Sequence, residues 1–134
     1  MDSAEIKTDK SKTGVRVIDE MVSLAESFDI AVAQRNEKLT SLLLEQICIR
    51  VQEVQHKKTG AALSNFFANQ AYLLHVHNVE AMDCMNMHRG IPPNWGGVNA
   101  HGQVIRGYVN EMRIIALKEM LQVEVLEKLW NAPV

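Results

Sequence analysis

The 134-residue sequence predicts an all-α fold. Two observations carry that expectation. Residues that interrupt helices are confined to Gly14, Gly60, a cluster from Gly90 to Gly107, and Pro133. The three stretches between them, residues 15–59, 61–89 and 108–132, are rich in Leu, Ala, Met, Glu, Gln, Lys and Arg. Those side chains lose little rotamer freedom in a helix. The expected architecture is a bundle of three long helices, or four if the first breaks near residues 34–38, with one long Pro/Gly loop at 90–107. Residues 1–13 read as a flexible polar tail, and residues 14–134 as a single helical-bundle domain with its own core.

The first stretch opens with Thr13 as a candidate cap and with Asp19 and Glu20 near the positive end of the helix dipole. Val17, Ile18, Met21, Val22, Leu24, Ala25, Phe28 and Val32 share one side of a 3.6-residue wheel. A polar run at residues 34–38 follows. Leu39, Leu42, Leu43, Leu44, Ile47, Ile49, Val51 and Val54 then make a second, broader stripe. An unbroken helix over this stretch would be roughly 65 Å long at about 1.5 Å per residue. A compact domain of this size is only about 36 Å across, so a break at residues 34–38 is favoured, with Asn36 the poor helix former there. Lys57 and Lys58 before Gly60 suit a helix end capped by glycine.

The second stretch has no charged residue between Ala61 and Val79. It is expected to end at His88-Arg89-Gly90, a cationic last turn followed by glycine. In the third stretch Ile114, Ile115, Leu117, Met120, Leu121, Val123, Val125, Leu126, Leu129 and Trp130 fall on nearly every side of the wheel. Helices without a solvated face are buried on more than one side. Two of them in one small chain favour self-association or a protein partner. The competing expectation is a tightly wrapped monomer with this pair at its centre. Trp95-Gly96-Gly97 fits a turn in the long loop, with Trp95 either packing the loop onto the bundle or anchoring an interface.

Composition narrows the function classes. A formal net charge of −2 gives no general attraction to nucleic acid. The polar N-terminus carries no signal-peptide pattern, no stretch is apolar enough to span a bilayer, and two cysteines do not make a disulfide framework. A reduced, cytoplasmic setting is expected.

The one stripe of metal-ligand residue types is His77, Glu80, Cys84 and His88, spaced by three, four and four on one helix. Its ends are roughly 16 Å apart at about 1.5 Å rise per residue, so one ion cannot collect all four. Glu53 and His56 have the spacing of one half of a di-iron motif, and the second half is not found. Neither a metal nor a cofactor is therefore expected to be required. No nucleophile–base pair or phosphate-binding glycine loop is visible, and the chain is not expected to be an enzyme. The polar residues Asn65, Asn69, Gln70, His75, His77 and Asn78 cannot be buried without partners, and some of them are expected to fix helix register.

The resulting expectation is a non-enzymatic interaction or assembly protein: a self-oligomerising component, adaptor or chaperone. Its interaction residues would include Phe66, Phe67, Asn69, Leu74, Trp95, Leu121 and Trp130. The alternative is a metal- or cofactor-binding bundle built on His77, Glu80, Cys84 and His88.

Overall fold

The computed structural model describes residues 13–56 and 65–130, with side chains from residue 67 onward in the second segment and few beyond residue 119. The described chain is all-α. Its four helices are α1 (Arg16–Ala33), α2 (Glu37–Gln55), α3 (Asn65–Cys84) and α4 (Trp95–Trp130). The first long stretch is thus two helices, and the bundle has four members rather than three. Among the described residues no helix is long and apolar enough to cross a membrane.

The break between α1 and α2 falls where the polar run predicts it. Arg35 turns the chain with φ 51°, in the left-handed region. Asn36 then caps α2, its side-chain oxygen accepting from the Leu39 amide at 3.1 Å. Thr13 does not cap α1 directly, because the N-cap is Val15 and makes no side-chain cap bond. Instead the Asp19 carboxylate reaches back and accepts from the Thr13 amide (2.8 Å) and the Gly14 amide (3.2 Å). Gly14 has φ +81°, which an L side chain rarely adopts. The Gly60 cap lies outside the described residues.

Each helix packs on two neighbours, α1 on α2, α2 on α3, α3 on α4 and α4 back on α1, and the diagonal pairs do not meet. Cross-helix pairs show that all four contacts are antiparallel. Glu20 meets Arg50, and Arg16 meets Glu53, between α1 and α2. Asn78 of α3 donates to the Leu44 carbonyl of α2. Asp29 of α1 pairs with Arg106 of α4. The core runs down the middle of this ring: Ile18, Met21 and Phe28 from α1, Leu44, Ile47 and Val51 from α2, Phe67 and Leu74 from α3, and Ile105 and Met112 from α4. The α1 stripe follows the expected wheel, whereas Leu42 and Ile49 of the α2 stripe are about half exposed.

The expected loop at 90–107 is shorter and earlier. The connection occupies residues 85–94, and α4 begins at Trp95. The second stretch ends as a helix at Cys84, not at His88-Arg89-Gly90, and Asn86 and Gly90 turn the chain with positive φ. Asn94 joins the two helices. Its amide donates to the Cys84 carbonyl at 2.8 Å, closing the end of α3. Its side-chain oxygen accepts from the Gly97 amide at 3.1 Å, opening α4. Gly96, Gly97, Gly102 and Gly107 therefore lie inside a helix.

Two of those glycines are points of close approach. A Cβ on Gly102 would fall 2.4 Å from the Phe28 ring of α1, and a Cβ on Gly97 would fall 2.7 Å from Cys84 Sγ of α3. A helix interior ordinarily disfavours glycine by about 1 kcal/mol. Here the missing side chain lets α4 sit close to both neighbours. At Gly107 nothing lies within 4 Å.

With 36 residues α4 is nearly twice as long as α1, at 18, or α3, at 20. Extending the register set by Gly97 against Cys84 puts Asn65 level with Ala116, a fully buried core residue. The 14 residues from 117 to 130, about 21 Å of helix, continue past the starts of α1 and α3.

The two glycine environments predict opposite outcomes in chemical denaturation. Gly102→Ala should destabilise the bundle by about 1–3 kcal/mol through overpacking on Phe28. Gly107→Ala should stabilise it by about 0.5–1 kcal/mol through helix propensity alone. Equal effects at the two sites would rule out the close approach at Gly102.

Candidate functional site

The side chains with the most chemical potential meet on the α3–α4 side of the bundle. His77 and Glu80, three residues apart on α3, project from adjacent positions on one face. His101 faces them from α4. His77 Nδ1 lies 3.1 Å from His101 Nδ1, and His101 Nε2 lies 3.2 Å from Glu80 Oε2. Tyr108 stands on the far side of His77, with ring centroids 6.1 Å apart. Both histidines are half-buried and Glu80 is exposed.

Helix geometry accounts for this meeting. Cys84 is one turn after Glu80 on α3, and Gly97 is one turn before His101 on α4. The close Cys84–Gly97 approach fixes one layer of the antiparallel pair, and the next layer brings Glu80 to His101. The proton arrangement is also constrained. With Glu80 accepting from His101 Nε2–H, a neutral His101 has a lone pair at Nδ1, and His77 Nδ1–H donates to it.

The four-residue stripe expected from the sequence divides. His77 and Glu80 belong to the cluster. Cys84 packs toward Gly97, and His88 is exposed in the 85–94 connection. Burial, followed by the charges of Asp83 and Glu80, pushes the Cys84 thiol up, with Arg89 opposing. Burial also pushes up Cys48. His101 was not anticipated, because a loop assignment gave it no face. Its spacing from Val98, Ile105 and Met112 at helical intervals was the available signal.

The residues expected to contact a partner also divide. Phe67 and Leu74 are 1% and 0% exposed, so the bundle's own core takes them and neither is available to a partner in this conformation. Asn69 is exposed. Trp95 is not in a turn; it opens α4, half-buried against the core, with the Arg35 guanidinium 6.0 Å from its ring. The side chains of Phe66, Leu121 and Trp130 lie outside the described residues.

Of the polar residues in the uncharged segment, Asn78 is fully buried. It donates through Nδ2 to the Leu44 carbonyl at 3.1 Å, while its Oδ1 has no partner among the described residues. This bond ties α3 to α2 at one level. The outward face of α3 carries Tyr72, Leu73 and Val79, exposed by 59, 41 and 47%. Beside it, a cleft of about 380 Å³ between α2 and the end of α3 is lined by Leu44, Glu45, Val79, Met82 and Met87.

Comparison with protein-family models, curated proteins and solved structures finds no match for this chain.

The thiol environments have a direct consequence. Only the thiolate is nucleophilic, so upward-shifted thiols react slowly. Iodoacetamide at neutral pH should alkylate Cys48 and Cys84 more slowly in the folded protein than in guanidinium, as read by mass spectrometry. Alkylation of the folded protein at the unfolded rate would contradict the buried thiol environments.

Proposed function

We propose that this chain is a non-enzymatic assembly module that associates with a second copy of itself through the outward face of α3. The observation that carries the reading is the character of that face. From Asn65 to Val79 α3 contains no charged residue, and Tyr72, Leu73 and Val79 stand exposed between its two helical neighbours. Single exposed apolar side chains are ordinary, but a contiguous apolar face marks an interaction surface. The uncharged run presents little like-charge repulsion to its own copy, with Glu80 and Asp83 exposed only at its end, and a two-fold interface pairs one patch with itself. The length of α4 supports the same reading. Its last 14 residues run beyond α1 and α3 and carry apolar residues on nearly every side of the wheel.

Light scattering at micromolar concentration tests it. The expected mass is that of a dimer or larger. Tyr72→Glu combined with Val79→Glu should give a monomer with an unchanged helical circular-dichroism signal, because both positions are exposed. By contrast Leu74→Ala, in the core, should cost about 2–5 kcal/mol of folding stability. A well-folded wild-type monomer at these concentrations would refute self-association. Equal association in the double variant would move the interface elsewhere.

A further inference from the structure

We propose that His77, Glu80 and His101 form a binding site for a divalent transition-metal ion, with Zn²⁺ the best chemical match. Each residue offers a ligand atom, and the three atoms lie within 4.8 Å of one another. The donors come from two helices, so an ion there would tie α3 to α4 directly. This site adjoins the exposed apolar residues of α3, with Leu73 four residues before His77 and Val79 beside Glu80, but metal binding there does not depend on the assembly reading.

The two imidazole nitrogens are spaced for one ion. Zinc–nitrogen bonds are about 2.0–2.1 Å. The two Nδ1 atoms, 3.1 Å apart, would then subtend an angle of roughly 100° at the ion, close to tetrahedral. The position between them serves a proton or a metal ion, not both. In the metal-free arrangement His77 Nδ1–H donates to His101 Nδ1. An ion that displaces this proton would take both Nδ1 atoms as ligands after a small rotation of the rings, which in the hydrogen bond point at each other. Glu80 is the third donor. Its side chain is 53% exposed, so its carboxylate is free to rotate from His101 Nε2 to the ion.

Two imidazoles and one carboxylate form a donor set suited to Zn²⁺ rather than to Ca²⁺ or Mg²⁺, which take oxygen ligands. The set contains no thiolate or thioether, which a site for Cu(I) would use. Three protein ligands leave a fourth tetrahedral position, and the exposure of Glu80 opens it to water. The scaffold holds the two histidines near one another without the ion, and Glu80 turns to complete the set. The Cys84–Gly97 approach and the Asn94 double cap fix α3 against α4 one turn away. The metal therefore binds a formed bundle and is not needed to make one.

Titration of the full chain with Co²⁺ and Zn²⁺ tests the proposal. Co²⁺ should give the visible absorption of a tetrahedral site, one equivalent of Zn²⁺ should abolish it, and excess Zn²⁺ should raise the melting temperature. Glu80→Gln, at an exposed position, should leave the helical signal intact and weaken Zn²⁺ binding by about tenfold or more. His101→Ala should remove the Co²⁺ absorption. Should that variant lose its helical signal, Glu80→Gln decides alone. His88→Ala, exposed in the 85–94 connection, should bind as the wild type does. Absence of both the absorption and the thermal shift in the wild type would overturn the site. So would undiminished binding by Glu80→Gln, or loss of binding by His88→Ala.

Discussion

The approach of α4 to two neighbours at once governs the geometry of this bundle. In a ring of four helices each member must nest against two others, and the distance it can reach depends on the side chains between the backbones. Gly102 lets the Phe28 ring of α1 lie against the α4 backbone, and Gly97 does the same for Cys84 of α3. The two positions are five residues apart on one helix, more than one turn, and so point to different partners. Replacing either by a larger residue would push α4 away from one side of the core and loosen its hold on the other. Phe28 is 2% exposed, and its burial depends on this notch.

Polar contacts then choose the register within that geometry. A slide of α3 along α2 by one turn would keep apolar residues facing apolar residues, so hydrophobic burial alone discriminates weakly between the two registers. The bond from Asn78 to the Leu44 carbonyl discriminates strongly, because a buried amide without a partner costs about 1–3 kcal/mol. Asn94 acts likewise at the α3–α4 joint, satisfying a carbonyl of one helix and an amide of the next. The surface pairs Arg16–Glu53 and Arg50–Glu20 agree with this arrangement but contribute little, since exposed ion pairs are worth about 0–1 kcal/mol. The His77–Glu80–His101 cluster follows from these constraints: once Gly97 and Cys84 are in contact, His101 has only Glu80 and His77 to face.

The helical content, the break at residues 34–38 and the α1 core stripe were legible in the sequence because each rests on a local signal. Periodicity gave Val17, Ile18, Met21, Ala25 and Phe28, and the capping residue Asn36 marked the break. The start of α4 was not legible. Four glycines in twelve residues read locally as a flexible loop, and only the partners facing Gly97 and Gly102 reveal why a helix tolerates them. That is a tertiary cause, invisible to propensity. The same misreading hid His101. Assignment to a loop removed it from the helix face that carries Val98, Ile105 and Met112, and so from the reach of His77. Of the four-residue stripe, His77, Glu80 and Cys84 lie on α3 and His88 falls in the connection after it. The stripe gave no information about which of its members a second helix would meet.

The absence of charge from Asn65 to Val79, before Glu80 and Asp83, is only partly accounted for by core packing among the described residues. Phe67, Ala71, Leu74, Asn78 and Ala81 face the core, where charge is costly. Tyr72 and Val79 do not. Both are about half exposed, and a lysine or glutamate at either would be solvated and would cost the bundle nothing in burial. The outward side of α2 follows the usual rule, with Glu45 and Gln52 beside Leu42 and Ile49. A partner surface of the kind proposed for the α3 face would supply a constraint against charge there, since an unpaired charge at the centre of an apolar contact is desolvated without compensation.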